Sequence, residues 1–188
     1  MPRKEKEPIH QQHGGGLYDR VVNKLFGANL RDGEIHAPVW TSSGLKFGSY
    51  IGPGSDVIGR IREGIQPVSN SDRVAQKHDL AYGFAKNADD VRAADLKMVA
   101  KLNDLQSKGD EYRANVWMGR IPIQANMKME DWGIIKKGSF ADYKGWNNTD
   151  DEKVARDKLT ELEMAGYGKK KPKAKPKAKP KKKPKKKK

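Results

Sequence analysis

The chain has 188 residues, 35% of them hydrophobic, and a mean hydropathy of -0.93, which leaves room for one modest core plus appendages. Cysteine is absent, so a disulfide framework and thiolate metal sites are excluded. The net charge of +15 is uneven: fourteen of the 39 basic residues are lysines after Tyr167, and the rest of the chain is close to neutral.

Residues 1–16 mix charge, Pro8, His10, His13 and three glycines, and read as a flexible arm whose histidines dangle beside the glycine run. From Leu17 to Leu30, apolar residues at helical spacing predict a short amphipathic helix that packs on the body or lies on a membrane surface. There is no run of eighteen apolar residues and no apolar segment behind the N-terminus, so neither a membrane span nor a secretory signal is expected. Residues 31–49 read as loop, anchored by Trp40 and Phe47. In the stretch Tyr50-Ile51-Gly52-Pro53-Gly54-Ser55, the glycines permit unusual backbone angles and Pro53 cannot donate a hydrogen bond. Such a stretch is either an ordinary turn or a loop that aims several carbonyl oxygens at one hard cation. Ile58, Ile61 and Ile65 then share a helical face weakened by Gly59 and Gly64.

The segment Ser71–Leu105 organises the chain. Ser69-Asn70-Ser71 offers an N-cap, and Val74, His78, Ala81, Tyr82 and Ala85 fall on one helical face. After a polar break at Lys86–Asp90, Val91, Ala94, Asp95, Met98, Leu102 and Leu105 do the same. So short a break predicts an antiparallel helix pair. His78 stands nine positions before Asn87 and Asp95 eight after it, so each lies roughly 12 to 13 Å from the turn and the two should meet. A carboxylate facing an imidazole either makes a structural contact or orients a general base, and spacing leaves both open.

Residues 106–148 carry scattered glycines, Pro122 and three tryptophans, and are expected to be irregular, with the tryptophans packed down. Thr149-Asp150-Asp151-Glu152 resembles a capping box and opens a peripheral helix running to about Ala165. Residues 166–188 form a disordered tail of lysine, proline and alanine, which attracts nucleic acid by counterion release or anionic lipid by charge.

Taken together, YIGPG, HDLAY and AADLKMV make the chain resemble the phospholipase A2 domain of parvovirus minor capsid proteins, itself similar to secreted phospholipase A2. The match covers about Tyr50 to Val99 within a domain expected over residues 17–148. The fold it implies is mainly α: a phospholipase A2-like antiparallel helix pair with a calcium-binding loop, here without disulfides. It also implies a calcium ion held by the carbonyls of Tyr50, Gly52 and Gly54 and the carboxylate of Asp79. His78 would be the base, Asp95 the residue that orients it, and Tyr82 a hydrogen-bond partner of Asp95. The activity implied is hydrolysis of the sn-2 ester of glycerophospholipids at a membrane surface, by a virion protein that breaches an endosomal membrane during entry. Nucleic acid bound to the tail and other virion proteins are expected partners, and the tail could also serve nuclear import. Two rivals are a nucleic-acid-binding virion core protein with a silent phospholipase-like domain, and a peripheral membrane binder without chemistry.

Overall fold

Strands β1 (Pro38–Thr41) and β2 (Gly44–Phe47) form an antiparallel hairpin in which Pro38 faces Phe47 and Thr41 faces Gly44. Gly44, at a φ of 111°, takes the positive angle that the tight turn requires. This hairpin replaces part of the loop expected before Tyr50. It belongs to a computed structural model that describes residues 35–52, 54–138, 146 and 148–165. The N-terminal arm, the Leu17–Leu30 helix and the lysine tail lie outside these residues.

Five helices follow: α1 (Val57–Arg62), α2 (Asn70–Phe84), α3 (Ala88–Lys108), α4 (Arg113–Asp131) and α5 (Thr149–Ala165). The described chain is thus mainly helical, and none of its helices is long and apolar enough to cross a membrane. Local chemistry sets the ends of the central pair. Ser69 Oγ accepts the Asp72 N–H at 3.0 Å to start α2. Ala85 turns extended and ends it, and Asn87 accepts the N–H groups of Asp89 and Asp90 to start α3. Gly109, at a φ of 68°, closes α3 with a left-handed cap.

The stretch expected to be irregular contains α4, nineteen residues long with Pro122 inside it. Tertiary packing overrides the local cost of proline: Val116, Gly119, Ile123 and Met127 give a continuous inward face. A side chain at Gly119 would come within 3.1 Å of Ile51 and 3.2 Å of Leu102, so glycine lets α4 approach the loop and α3 closely. Asn115 ties the other edge of this helix to the hairpin. It accepts the Trp40 N–H at 2.7 Å and donates to the Trp40 carbonyl at 2.8 Å, covering an open strand edge.

The tryptophans divide. Trp146 packs edge-on against Phe84, whereas Trp40, Trp117 and Trp132 are exposed, so the expectation that they anchor or pack down holds only for Trp146. Helix α5 is less peripheral than its narrow stripe suggested. Ala155 and Leu162 are buried in the same core as Leu80, Leu102 and Val116, and Asp151 pairs with Arg62 of α1 at 2.7 Å. Its cap is Asn148, whose Oδ1 accepts the Asp151 N–H, one residue before the predicted Thr149.

Candidate active site

Helices α2 and α3 run against each other, and His78 Nε2 lies 2.8 Å from Asp95 Oδ1, with both side chains buried. The register read from the turn therefore brings this pair together. The Tyr82 hydroxyl, one turn along α2, donates to the same Asp95 oxygen at 2.5 Å. Its ring packs on the imidazole with centroids 4.1 Å apart. Carboxylate oxygens only accept, and the one at Nε2 is the nearer of the two that face the ring, so neutral His78 keeps its proton on Nε2 and Nδ1 is the nitrogen that gives up its proton. That nitrogen is 3.3 Å from Asp79 Oδ1. Asp95 Oδ2 is buried without a hydrogen-bond partner among the described residues.

Burial alone would lower the pKa of His78, but the hydrogen bonds and charges of Asp79 and Asp95 outweigh it and raise the pKa to about 9. Burial raises the Asp79 carboxyl above the usual carboxylate range, against the pull of His78. Burial, followed by the Asp95 hydrogen bond, also raises the Tyr82 phenol. The two carboxylates together favour the protonated form of His78. Engaging Asp79 elsewhere removes two of the four contributions that hold the proton on His78.

The loop Tyr50–Gly54 reaches α2 through Asp72, a residue of that helix's first turn that the sequence did not single out. The Asp72 carboxylate is fully buried, and it accepts the N–H groups of Tyr50 and Ile51 on one oxygen and those of Ser49 and Val68 on the other, at 2.8 to 2.9 Å. The carbonyl oxygens of Tyr50 and Gly52 each lie 3.4 Å from Ser55 Oγ, so they turn toward one spot. Gly52 and Gly54 have φ angles of 149° and 82°, and a side chain at Gly52 would collide with the Ile35 carbonyl. Pro53 lies outside the described residues. His36, also not singled out from the sequence, is buried against this loop. Its Nδ1 donates to the Gly48 carbonyl at 2.5 Å, and its Nε2 lies 3.1 Å from Ser55 Oγ. The sequence held no signal for this contact, because His36 and Ser55 sit nineteen residues apart in irregular chain.

Among the described residues, no three His, Asp or Glu side chains gather in a metal-binding group. A cation here would therefore depend on main-chain carbonyls plus Asp79, an all-oxygen donor set that suits a hard ion such as calcium. Two of the three expected carbonyls, those of Tyr50 and Gly52, converge on one spot at Ser55 Oγ, which is the part of that donor set visible here. Asp89 and Asp90, the other acids near the turn, are exposed at the start of α3, where Asp90 accepts the Lys86 N–H.

An open groove of about 870 Å³ runs along α2, α3 and α5 with His78 in its wall. Val74, Ala81, Phe84, Met98 and Leu159 make it largely apolar, and lysines stand at its rim. Comparison with protein-family models, with curated proteins and with solved structures finds no match to this chain.

Proposed function

We propose that the chain is a calcium-dependent phospholipase A2 that hydrolyses the sn-2 ester of glycerophospholipids. The observation that carries this reading is the oriented imidazole: Asp95 holds His78 through Nε2, and Nδ1 faces Asp79, so that a calcium ion drawing Asp79 to itself would release Nδ1 for a water proton. The carbonyls of Tyr50, Gly52 and Gly54 and the Asp79 carboxylate would hold the calcium. Bound there, the ion would polarise the ester carbonyl and stabilise the oxyanion. His78 Nδ1 takes the proton of the attacking water and later returns it to the leaving alcohol. Asp95 keeps the tautomer and stabilises the cation that forms, while Tyr82 steadies Asp95. The apolar groove beside His78 suits an acyl chain.

The expected outcome is calcium-dependent release of sn-2 fatty acid from phosphatidylcholine vesicles, lost in His78→Asn and Asp79→Asn. Inactive wild type in millimolar calcium, or active variants, would overturn the assignment.

In this reading the chain is a virion protein that acts on host endosomal membranes, and its lysine tail holds nucleic acid or directs nuclear import. The tail also favours a second reading, a nucleic-acid-binding virion core protein whose phospholipase-like domain is silent. That reading predicts DNA binding that weakens steeply with salt and vanishes on deleting residues 169–188, with no lipid hydrolysis at any calcium concentration.

A further inference from the structure

The outward face of α4 departs from what a solvated helix requires. Trp117 and Ile121, four residues apart, are 55% and 38% exposed, and Trp132 and Ile134, just past the helix end, are 71% and 64% exposed. Ala114 and Ala125 lie on the same face. Scattered exposed apolar residues are ordinary, but here large ones cluster along one helix and the turn that follows it.

The acids near this face are tied down, both reached by Arg92, while exposed lysines stand beside it. Asp131 is held by two hydrogen bonds from Arg92, at 2.7 and 2.8 Å. Glu130 is buried and accepts the Gly138 N–H. Lys128 and Lys136 are exposed and form no ion pair among the described residues. Apolar rings flanked by unpaired lysines suit a lipid–water interface, where indoles sit at headgroup level and lysines reach phosphate. A protein interface would also take the tryptophans, but it disfavours the lysines and alanines that share this face.

We infer that this face of α4, from Trp117 to Lys136, is a docking surface for an anionic lipid membrane. A role in lipid hydrolysis would rest on the phospholipase reading, but the binding itself needs no hydrolysis. It also differs from attraction of the lysine tail, which salt abolishes, because Trp117 and Trp132 contribute apolar contact that salt leaves in place.

The test uses the full chain carrying His78→Asn, in chelator, so that neither calcium nor hydrolysis contributes. Sedimentation with vesicles of phosphatidylglycerol and phosphatidylcholine is measured at low salt and at about half-molar salt, where tail attraction is screened. The expected result is binding that persists in high salt and falls about tenfold or more when Trp117→Ser and Trp132→Ser are combined. In low salt, Lys128→Glu with Lys136→Glu should weaken binding to the anionic vesicles and leave the weaker binding to pure phosphatidylcholine unchanged. The inference is overturned if no binding survives high salt or if the tryptophan variant binds like its parent. It is also overturned if the chain sediments alone as a dimer that the tryptophan variant dissolves, which would make the face an interface between copies. An unfolding midpoint equal to the parent's shows that these exposed substitutions leave the fold intact.

Discussion

His78 has partners on both ring nitrogens, and the consequence is a proton it holds well above its ordinary range. In chelator, its pKa of about 9 in the folded chain, against 6.5 for an ordinary histidine, makes stability pH-dependent with a definite sign. The contribution is fully present below pH 6.5 and is lost as pH rises through about 9, because the folded chain keeps a proton that the unfolded chain has released. The slope cannot exceed about 1.4 kcal/mol per pH unit for one proton. Urea unfolding between pH 6 and 10 in chelator should show this decline, and His78→Asn should flatten it. Asp95 offers a second test. In Asp95→Asn the amide can donate to Nε2, which moves the imidazole proton to Nδ1, the nitrogen that must accept from water. Hydrolysis should fall about 10² to 10⁴-fold while calcium affinity stays unchanged. Loss of both together would mean that Asp95 only holds the helices in place.

At the scale of elements, two joints hold the site together, and they differed in how visible they were. The α2–α3 pair was legible because the Ser69–Ser71 cluster marks the start of α2 and because the turn around Asn87 is short enough to set the register; that Asn87 is itself the cap of α3 came from the fold. The joint between the loop and α2 was not legible. An aspartate in a first helical turn looks like a partner of the helix end, and only the folded chain shows Asp72 gathering four backbone donors from 49–51 and 68. Asp72→Ala leaves those donors without their acceptor. It should destabilise the chain by about 2 to 4 kcal/mol and weaken calcium binding, read by denaturant unfolding and by titration calorimetry. Helix α4 was missed for a related reason. Gly119 and Pro122 are local signals against a helix, yet Gly119 is the point where α4 meets Ile51 and Leu102. Gly119→Val should push these neighbours apart at a cost of about 1 to 3 kcal/mol, measurable as a lower unfolding midpoint.

Across the whole molecule, the Arg62–Asp151 pair joins the first described helix, α1, to the last, α5, which also buries Leu162 in the common core. Leu162→Ala should therefore cost about 2 to 4 kcal/mol, more than a peripheral helix would show, and thermal unfolding checks it. What the sequence determined by itself is what depends on near neighbours: the cap that starts α2, the period of the α2 and α3 stripes, and the meeting of His78 with Asp95 across a short turn. The tertiary structure decided what depends on residues far apart in the chain. It drew the Tyr50 loop to Asp72, closed Ser55 onto His36, carried α4 through its proline and left Trp117 and Trp132 facing outward. Helical periodicity shows that a residue lies on a face, but which face is covered is set by the other elements that pack against it.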